Sequence, residues 1–135
     1  LWNGTTRESY RDKHQASSHG IYRSKVADMH EDYIRPQENG SHYDCDYVEL
    51  TNAQYGFVVV PEKAFSFNVS FYTQEILEST AHNYELKEAD STVLCIDHAL
   101  HGIGSNSCGP VVLDPYRFSE NAFRFQLKLI PYVKR

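Results

Sequence analysis

Hydrophobic and polar residues alternate in several short stretches of the chain, which is the pattern of strands with one buried face. The strictest alternation covers residues 65–71, where Phe and Val residues are separated by Ser and Asn. A second alternation at residues 47–51 and a β-branched and aromatic run at residues 55–60, ended by Pro61, predict two further strands. Weaker patterns predict strands at residues 91–97, 116–118 and 122–129.

The pattern of residues 73–80 is typical of a short helix. Thr73 can cap its N-terminus with the side-chain hydroxyl, and Glu75 lies in the first turn, where the helix dipole favours a carboxylate. A helix of about two turns depends on packing rather than on intrinsic propensity. Several strands at short spacing with one small helix predict an all-β fold, an antiparallel β-sandwich.

The pattern of hydrophobic and polar residues changes near residue 32. Residues 1–32 are polar and mixed, so we expect a loop-rich strap in which Ile21, Tyr22 and Val26 can enter a short strand or an edge. Residues 33–135 carry the predicted sandwich strands, and the length of 135 residues is about that of one domain. The chain begins with Leu1 rather than Met, so we expect that it was processed or belongs to a longer protein.

The composition excludes several classes of protein. Thirteen Lys and Arg against 18 Asp and Glu give a formal net charge of −5, which disfavours a nucleic-acid module. No apolar run approaches the ~20 residues that span a bilayer, so no membrane association is predicted. Three cysteines in no zinc or disulfide spacing, without a signal peptide, predict reduced thiols in a cytoplasmic protein.

Candidate chemical groups fall in two places. Asp97, His98, His101 and Cys108 include metal-ligating types, but their spacing matches no known metal site, and ordinary polar loop residues are the favoured interpretation. Asp44 and Asp46, two apart, would share one face of a strand and could raise the pKa of one carboxyl, although most such pairs are solvated. No metal site and no catalytic residue is assigned.

The loop at residues 102–110 contains three Gly and one Pro, which implies a specific backbone path. Its Cys108 could act as a nucleophile with a nearby His, but nothing in the sequence would lower the thiol pKa. Tyrosines could form a sugar-stacking face, although strands enrich tyrosine for structural reasons and a core or edge role is favoured. The tyrosines considered are Tyr10, Tyr33, Tyr43 and Tyr55.

Five segments carry a family resemblance. The pattern E-S-Y-x-D occurs at residues 8–12, Y-x-x-P-x-E-N-G within residues 32–42, F-x-F-N-x-S at residues 65–70, L-x-x-T-x-H at residues 77–82, and G-x-G-x-x-S-C-x-P at residues 102–110. In this order, and with an Ile-Asp pair before the last, they resemble the large bacterial β-galactosidases of the lactose-operon type, members of glycoside hydrolase family 2. The segments cover nearly the whole chain.

The resemblance implies the C-terminal part of the last domain of such an enzyme, a large β-sandwich. The implied activity is retaining hydrolysis of terminal non-reducing β-D-galactose from lactose-type β-galactosides, with the catalytic carboxylates in a central barrel outside this chain. The fragment alone is then inactive. The resemblance implies Mg²⁺ and a monovalent cation for the parent enzyme, none in this fragment. Its partners are the remainder of the chain or a large subunit, and the enzyme is a homo-oligomer.

The resemblance also assigns candidate residues to the wall of the sugar site, namely Ser105, Asn106, Ser107 and Cys108. In many relatives a Trp stands at the position of Cys108 and stacks on a sugar, which a thiol cannot do because it lacks a flat π-face. Residues 3–6 do not preserve the family's G-x-G-P turn. The alternatives are a non-catalytic carbohydrate-binding domain that uses the tyrosines and a subunit-contact domain.

Overall fold

A computed structural model of the chain describes residues 1–5, 18–30, 40–102, 104 and 109–135. These residues form the strands β1 (Trp2–Thr5), β2 (His19–Tyr22), β3 (His42–Cys45), β4 (Tyr47–Thr51), β5 (Tyr55–Pro61), β6 (Phe65–Ser70), β7 (Val93–Asp97) and β8 (Leu127–Val133), the helix α1 (Gln74–Ser79), and 3₁₀ turns at Val26–Met29, Asn83–Glu85 and Asp114–Tyr116. The large sheet has the order β2-β1-β4-β5-β8 and the small sheet β3-β6-β7, with antiparallel pairing throughout. The predicted antiparallel sandwich is confirmed.

The hydrophobic core is one cluster built from strands of both sheets. The large sheet contributes one buried side chain each from β1, β4 and β5, and the small sheet contributes side chains from β3 and β6. Burial of one large apolar side chain stabilises a fold by about 1.5–3 kcal/mol, so this cluster is the main source of cohesion. Its members are Trp2, Val48, Val59, Cys45, Phe65 and Phe67.

The central elements match the sequence patterns. The alternating stretch at residues 47–51 is β4, and the strict alternation forms β6, where Phe65, Phe67 and Val69 are buried. Helix α1 is capped as predicted, because the Thr73 hydroxyl accepts a hydrogen bond from the Ile76 N–H at 3.2 Å. Among the described residues, no helix has the length and hydrophobicity needed to span a membrane.

Two strand predictions near the C-terminus are corrected. Residues 116–118 form no strand, because Asp114–Tyr116 is a 3₁₀ turn with a proline in its first positions. Of the strand predicted at residues 122–129, only residues 127–129 are in a strand, since β8 begins at Leu127. The partner strand sets this boundary, because β5 ends at Pro61, which is paired with Leu127.

The first 32 residues contribute two strands of the large sheet. Strand β2 contains Ile21 and Tyr22 and lies at the sheet edge, as the expectation of a loop-rich strap allowed, whereas β1 was not expected. Strand β1 lies between β2 and β4, and Trp2 is only 5% exposed. An ideal Cβ on Gly4 would lie 2.3 Å from the Cys45 Sγ, so this strand approaches β3 closely only because it carries glycine. Four-residue strands are too short to show a period, which explains why β1 and β3 were not predicted.

A tyrosine on β8 ties three strands of the large sheet together. The Tyr132 ring lies over Gly56, where an ideal Cβ would be 2.0 Å from the ring carbon Cζ. The Tyr132 hydroxyl donates a hydrogen bond to the Glu49 carboxylate, and this bond raises the pKa of the phenol. The side chain therefore crosses β5 and links β8 to β4.

Gly56→Ala is expected to destabilise the chain by about 1–3 kcal/mol, because the new methyl group would overlap the Tyr132 ring and displace it from Glu49. Gly20→Ala is the matched control, since its Cβ would meet only the flexible end of Tyr22 at 3.0 Å. Urea denaturation of both variants measures the difference. Equal loss of stability in the two variants would contradict the role of the ring.

His42 is a titratable group inside the core. Its ring packs against Trp2 at 4.6 Å and Phe67 at 5.2 Å between centroids, and its Nδ1 lies 3.0 Å from the Thr5 carbonyl oxygen. Burial lowers the pKa of His42, and the hydrogen bond to Thr5 opposes this shift only in part. The folded protein therefore favours the neutral imidazole.

The stability of the chain should fall as the pH drops below about 6.5, the ordinary histidine pKa. Below that value the unfolded chain takes up a proton at residue 42, whereas folded His42, with its lowered pKa, does so only at a lower pH. Urea denaturation at about pH 7.5 and about pH 5.5 measures the change. His42→Gln, which does not titrate, should show a smaller loss between the two values, and an equal loss would exclude His42 as the cause.

Candidate functional site

The end of β7 leads into a cleft on the small-sheet side of the sandwich. Asp97 is the last residue of β7 and is paired with Ser66 on β6, so the residues that follow pass beside the start of β6. The cleft is open to solvent, has a volume of about 350 Å³ and is lined by both apolar and polar residues. Its lining residues are Tyr43, Asp44, Ala64, Phe65, Ser66, His98, Ala99 and Leu100.

His98 connects the cleft to the segment that precedes β8. Its ring stacks on Phe123 with centroids 4.7 Å apart and planes 7° apart, and Phe125 lies 5.4 Å away. Its Nε2 is 3.6 Å from the Glu120 Oε2. Aromatic stacking of this kind adds about 0.5–1.5 kcal/mol beyond burial, so His98 helps to hold this segment against the cleft.

The base of the glycine-rich loop is closed by backbone contacts. The Gly102 N–H donates a hydrogen bond to the Tyr116 carbonyl at 2.8 Å, and the His101 Nδ1 lies 2.6 Å from the Gly102 carbonyl oxygen. Gly104 has φ +70°, and its ideal Cβ would lie 3.2 Å from the Pro110 carbonyl oxygen. Its φ and this close approach both favour glycine, and the two sides of the loop meet at its base.

The predicted wall residues lie outside the described part of the chain. Ser105, Asn106, Ser107 and Cys108 are therefore still assigned from the resemblance, and the structure fixes only the flanks of their segment. Those flanks begin directly after the residues that line the cleft. The cleft and the loop base are thus neighbours along the chain.

The histidines and Asp97 do not converge on a metal. Within the described ranges, no group of three or more His, Cys, Asp or Glu side chains could hold a metal ion. His98 contacts Glu120 and aromatic rings, and His101 contacts the neighbouring carbonyl. Burial raises the pKa of the Asp97 carboxyl. These residues do not fit the Mg²⁺ or monovalent cation that the resemblance implies for the parent enzyme.

The two aspartates near β3 are not a regular carboxylate pair. Asp44 has φ +56°, and the register between β3 and β6 shifts between His42 and Cys45, so the alternation of side chains is broken there. The Asp46 Oδ2 accepts a hydrogen bond from the Asn3 Nδ2 at 2.9 Å. Asp44 instead lines the cleft as a non-glycine residue in a left-handed conformation, an arrangement that costs about 1–3 kcal/mol.

The candidate tyrosines do not lie on one common face, and the Cys45 thiol lies in the core. Tyr43 lines the cleft on the small sheet, whereas Tyr55 is 56% exposed on the large sheet, so these two do not form one stacking face. Tyr10 and Tyr33 lie outside the described residues. Burial raises the pKa of the Cys45 thiol to about 12, which makes it an unreactive core residue.

Comparison with known proteins identifies the family. The family model described as the β-galactosidase small chain matches residues 2–129. The chain belongs to the β-galactosidase small-chain family. It is 50% identical over 123 residues to a β-galactosidase of Actinobacillus pleuropneumoniae and 40% identical over 124 residues to one of Staphylococcus xylosus.

The small-chain domain accounts for a minor part of these relatives. Each alignment covers 90–91% of this chain and 12% of the relative. A β-galactosidase of Kluyveromyces lactis gives the same proportions, with 37% identity over 123 residues. Each of the three relatives is therefore about eight times longer than the segment that it shares with the chain.

The sequence did not predict several features of this small-chain domain. The cleft is built from three separate stretches, at residues 43–44, 64–66 and 98–100, and nothing in the local patterns relates them. The stacking of His98 on Phe123 was equally hidden, because it joins residues from different loops. The glycines of the loop were the one local signal, and Gly104 confirms that they mark a specific backbone path.

Proposed function

We propose that this domain is part of a retaining β-galactosidase that hydrolyses terminal non-reducing β-D-galactose residues of lactose-type β-galactosides. The observation that carries the proposal is the family match over residues 2–129, together with relatives named β-galactosidase at 37–50% identity. A retaining enzyme of this type needs two carboxyl groups about 5–5.5 Å apart. The resemblance places both in the barrel of the parent enzyme, outside this chain.

The role proposed for the domain is to form part of the wall of the sugar site. Ser105, Asn106 and Ser107 supply hydroxyl and amide groups that suit sugar hydroxyls. The closed loop base supports this role, because the Gly102–Tyr116 hydrogen bond and the tight approach of Gly104 to Pro110 fix where the loop leaves and rejoins the domain. Residues that contact a sugar need a fixed position, which the supporting backbone of the loop base provides.

The proposal extends to the surroundings of the domain. Its partner is the remainder of the β-galactosidase chain or its large subunit, within a homo-oligomer that carries Mg²⁺ and a monovalent cation on residues elsewhere in the enzyme. The cytoplasmic location proposed for the enzyme is supported by the sequence, since three cysteines in no disulfide spacing suit a reducing compartment.

The isolated chain is expected to show no hydrolysis of a chromogenic β-galactoside, because both catalytic carboxylates belong to the parent enzyme. The measurement compares the purified chain with the full-length enzyme at equal molar concentration. Turnover by the pure chain, retained after a second chromatographic step, would overturn the assignment of catalysis to the rest of the enzyme.

In the full-length parent enzyme, Cys108→Ala should change KM by about twofold to tenfold, since a contact of this size is worth about 1 kcal/mol, while the melting temperature stays nearly constant. Cys108→Trp should lower KM if a flat ring can stack on the sugar at this position. Cys95→Ala, which removes an exposed thiol on β7, is the matched control. Unchanged KM in both Cys108 variants would exclude a wall role for this residue.

A further inference from the structure

Strands β5 and β8 have an unusual composition for the rim of an antiparallel sheet. Strand β5 reads Tyr-Gly-Phe-Val-Val-Val-Pro and β8 reads Leu-Lys-Leu-Ile-Pro-Tyr-Val, so each is almost continuously apolar. Strands with one face in water alternate between apolar and polar residues, whereas strands covered on both faces are apolar throughout. The sequence of this two-stranded ribbon is therefore that of an internal element.

The ribbon is nevertheless exposed on both faces. Leu129 is paired with the buried Val59 and so lies on the core side of the sheet, yet it is 52% exposed, and Val133 on the same face is 68% exposed. On the opposite face Ile130 is 38% exposed and Val60 is 37% exposed. In the described part of the chain, the exposure of Leu129 and Val133 shows that the small sheet does not cover this end of the large sheet.

The hydrogen-bond register shows which backbone groups of β8 are used. At the two ends of the ladder, the Glu62 N–H donates to the Gln126 carbonyl at 3.0 Å and the Lys134 N–H donates to the Gln54 carbonyl at 2.8 Å. Bonded and non-bonded pairs alternate along an antiparallel ladder. The even-numbered residues of β8 therefore bond to β5, and the odd-numbered residues direct their backbone groups outward.

The outward-facing backbone groups of β8 are unpaired with any described strand, and one of these residues has no N–H group. The N–H groups of Leu127, Leu129 and Val133 point away from β5, and no described strand lies next to β8 on that side. Pro131 is also outward-facing and has no N–H to offer, which is the position that a proline can occupy without weakening the β5–β8 ladder. An added strand could accept hydrogen bonds from three N–H groups of β8 and would have no N–H partner at Pro131.

We infer that, in the parent enzyme, β8 is an internal strand: a strand from the part of the β-galactosidase outside these 135 residues pairs with its outer edge, and the adjoining structure covers both faces of the β5–β8 ribbon. This inference rests on the proposed function, since it takes the parent to be a β-galactosidase. The relatives are long enough to supply such a strand, because the shared segment is only 12% of their length.

A second copy of the chain fits this edge less well. A symmetric pair of β8 strands would meet the gap at Pro131 twice, once from each copy, whereas an unrelated strand of the parent meets it once. Edge-to-edge pairing of two β8 strands would also leave both exposed faces of each ribbon uncovered. The parent chain is therefore the occupant to which the exposed residues and the register point.

Hydrogen exchange of the full-length enzyme, followed by mass spectrometry of peptides spanning residues 126–134, tests the inference. The amides of Leu127, Leu129 and Val133 should exchange more than about tenfold more slowly than unbonded amides. They should then resemble the amides of Lys128, Ile130 and Tyr132, which are bonded to β5. Rapid exchange of the three outward amides would overturn the inference. Protection that disappears on dilution to the monomer would assign the edge to a second copy and would also overturn it.

Paired variants of the full-length enzyme test the covered face. Val133→Asp should lower the melting temperature by several degrees, although Val133 is 68% exposed in the chain alone. Ile21→Asp is the matched control, because Ile21 on the opposite edge strand β2 is 67% exposed, and it should change the melting temperature little. Equal effects would contradict a specific cover over the ribbon. Neither readout depends on turnover, so an inactive parent with protected β8 amides would remove the proposed function and leave the strand addition in place.

Discussion

The close approach of β1 to β3 at Gly4 and Cys45 is the contact on which the packing of the two sheets depends. A Cβ at position 4 would overlap the thiol, so the absence of a side chain lets the strands from opposite sheets meet directly. The contact is reinforced by hydrogen bonds to Thr5, whose carbonyl faces the His42 Nδ1 and whose hydroxyl accepts the Tyr43 N–H at 3.2 Å. Tight packing around Cys45 also explains why its thiol is inert.

The position of the cleft follows from this packing. Because β3 is held against β1, residues 43 and 44 are fixed beside the start of β6, and β6 in turn aligns the end of β7 through the pairing of Ser66 with Asp97. The chain then leaves β7 along the cleft and enters the loop base at Gly102. The backbone order of the small sheet therefore determines where the glycine-rich loop departs from the domain.

The sequence patterns predicted elements whose signal is local. Strands β4, β5 and β6 each repeat an apolar or alternating pattern over at least five residues, and the Thr73 cap is a contact within one turn. Strand β1 and the Tyr132–Glu49 contact were missed because their causes are distant in sequence: Gly4 matters only beside Cys45, and Gly56 only beneath Tyr132. The alternation at residues 122–126 was misleading because its aromatic residues pack on His98 rather than in a strand.

The same segment lies between the cleft and strand β8. Phe123 and Phe125 pack on His98 at the cleft, the Gln126 carbonyl then bonds to Glu62, and β8 begins at the next residue. A strand added to β8 would hold the C-terminal end of this segment, and its N-terminal side reaches the Tyr116 carbonyl that closes the loop base. The strand addition inferred above would therefore act on the C-terminal end of the stretch from residue 116 to residue 126, whose other end accepts the Gly102 N–H at the loop base.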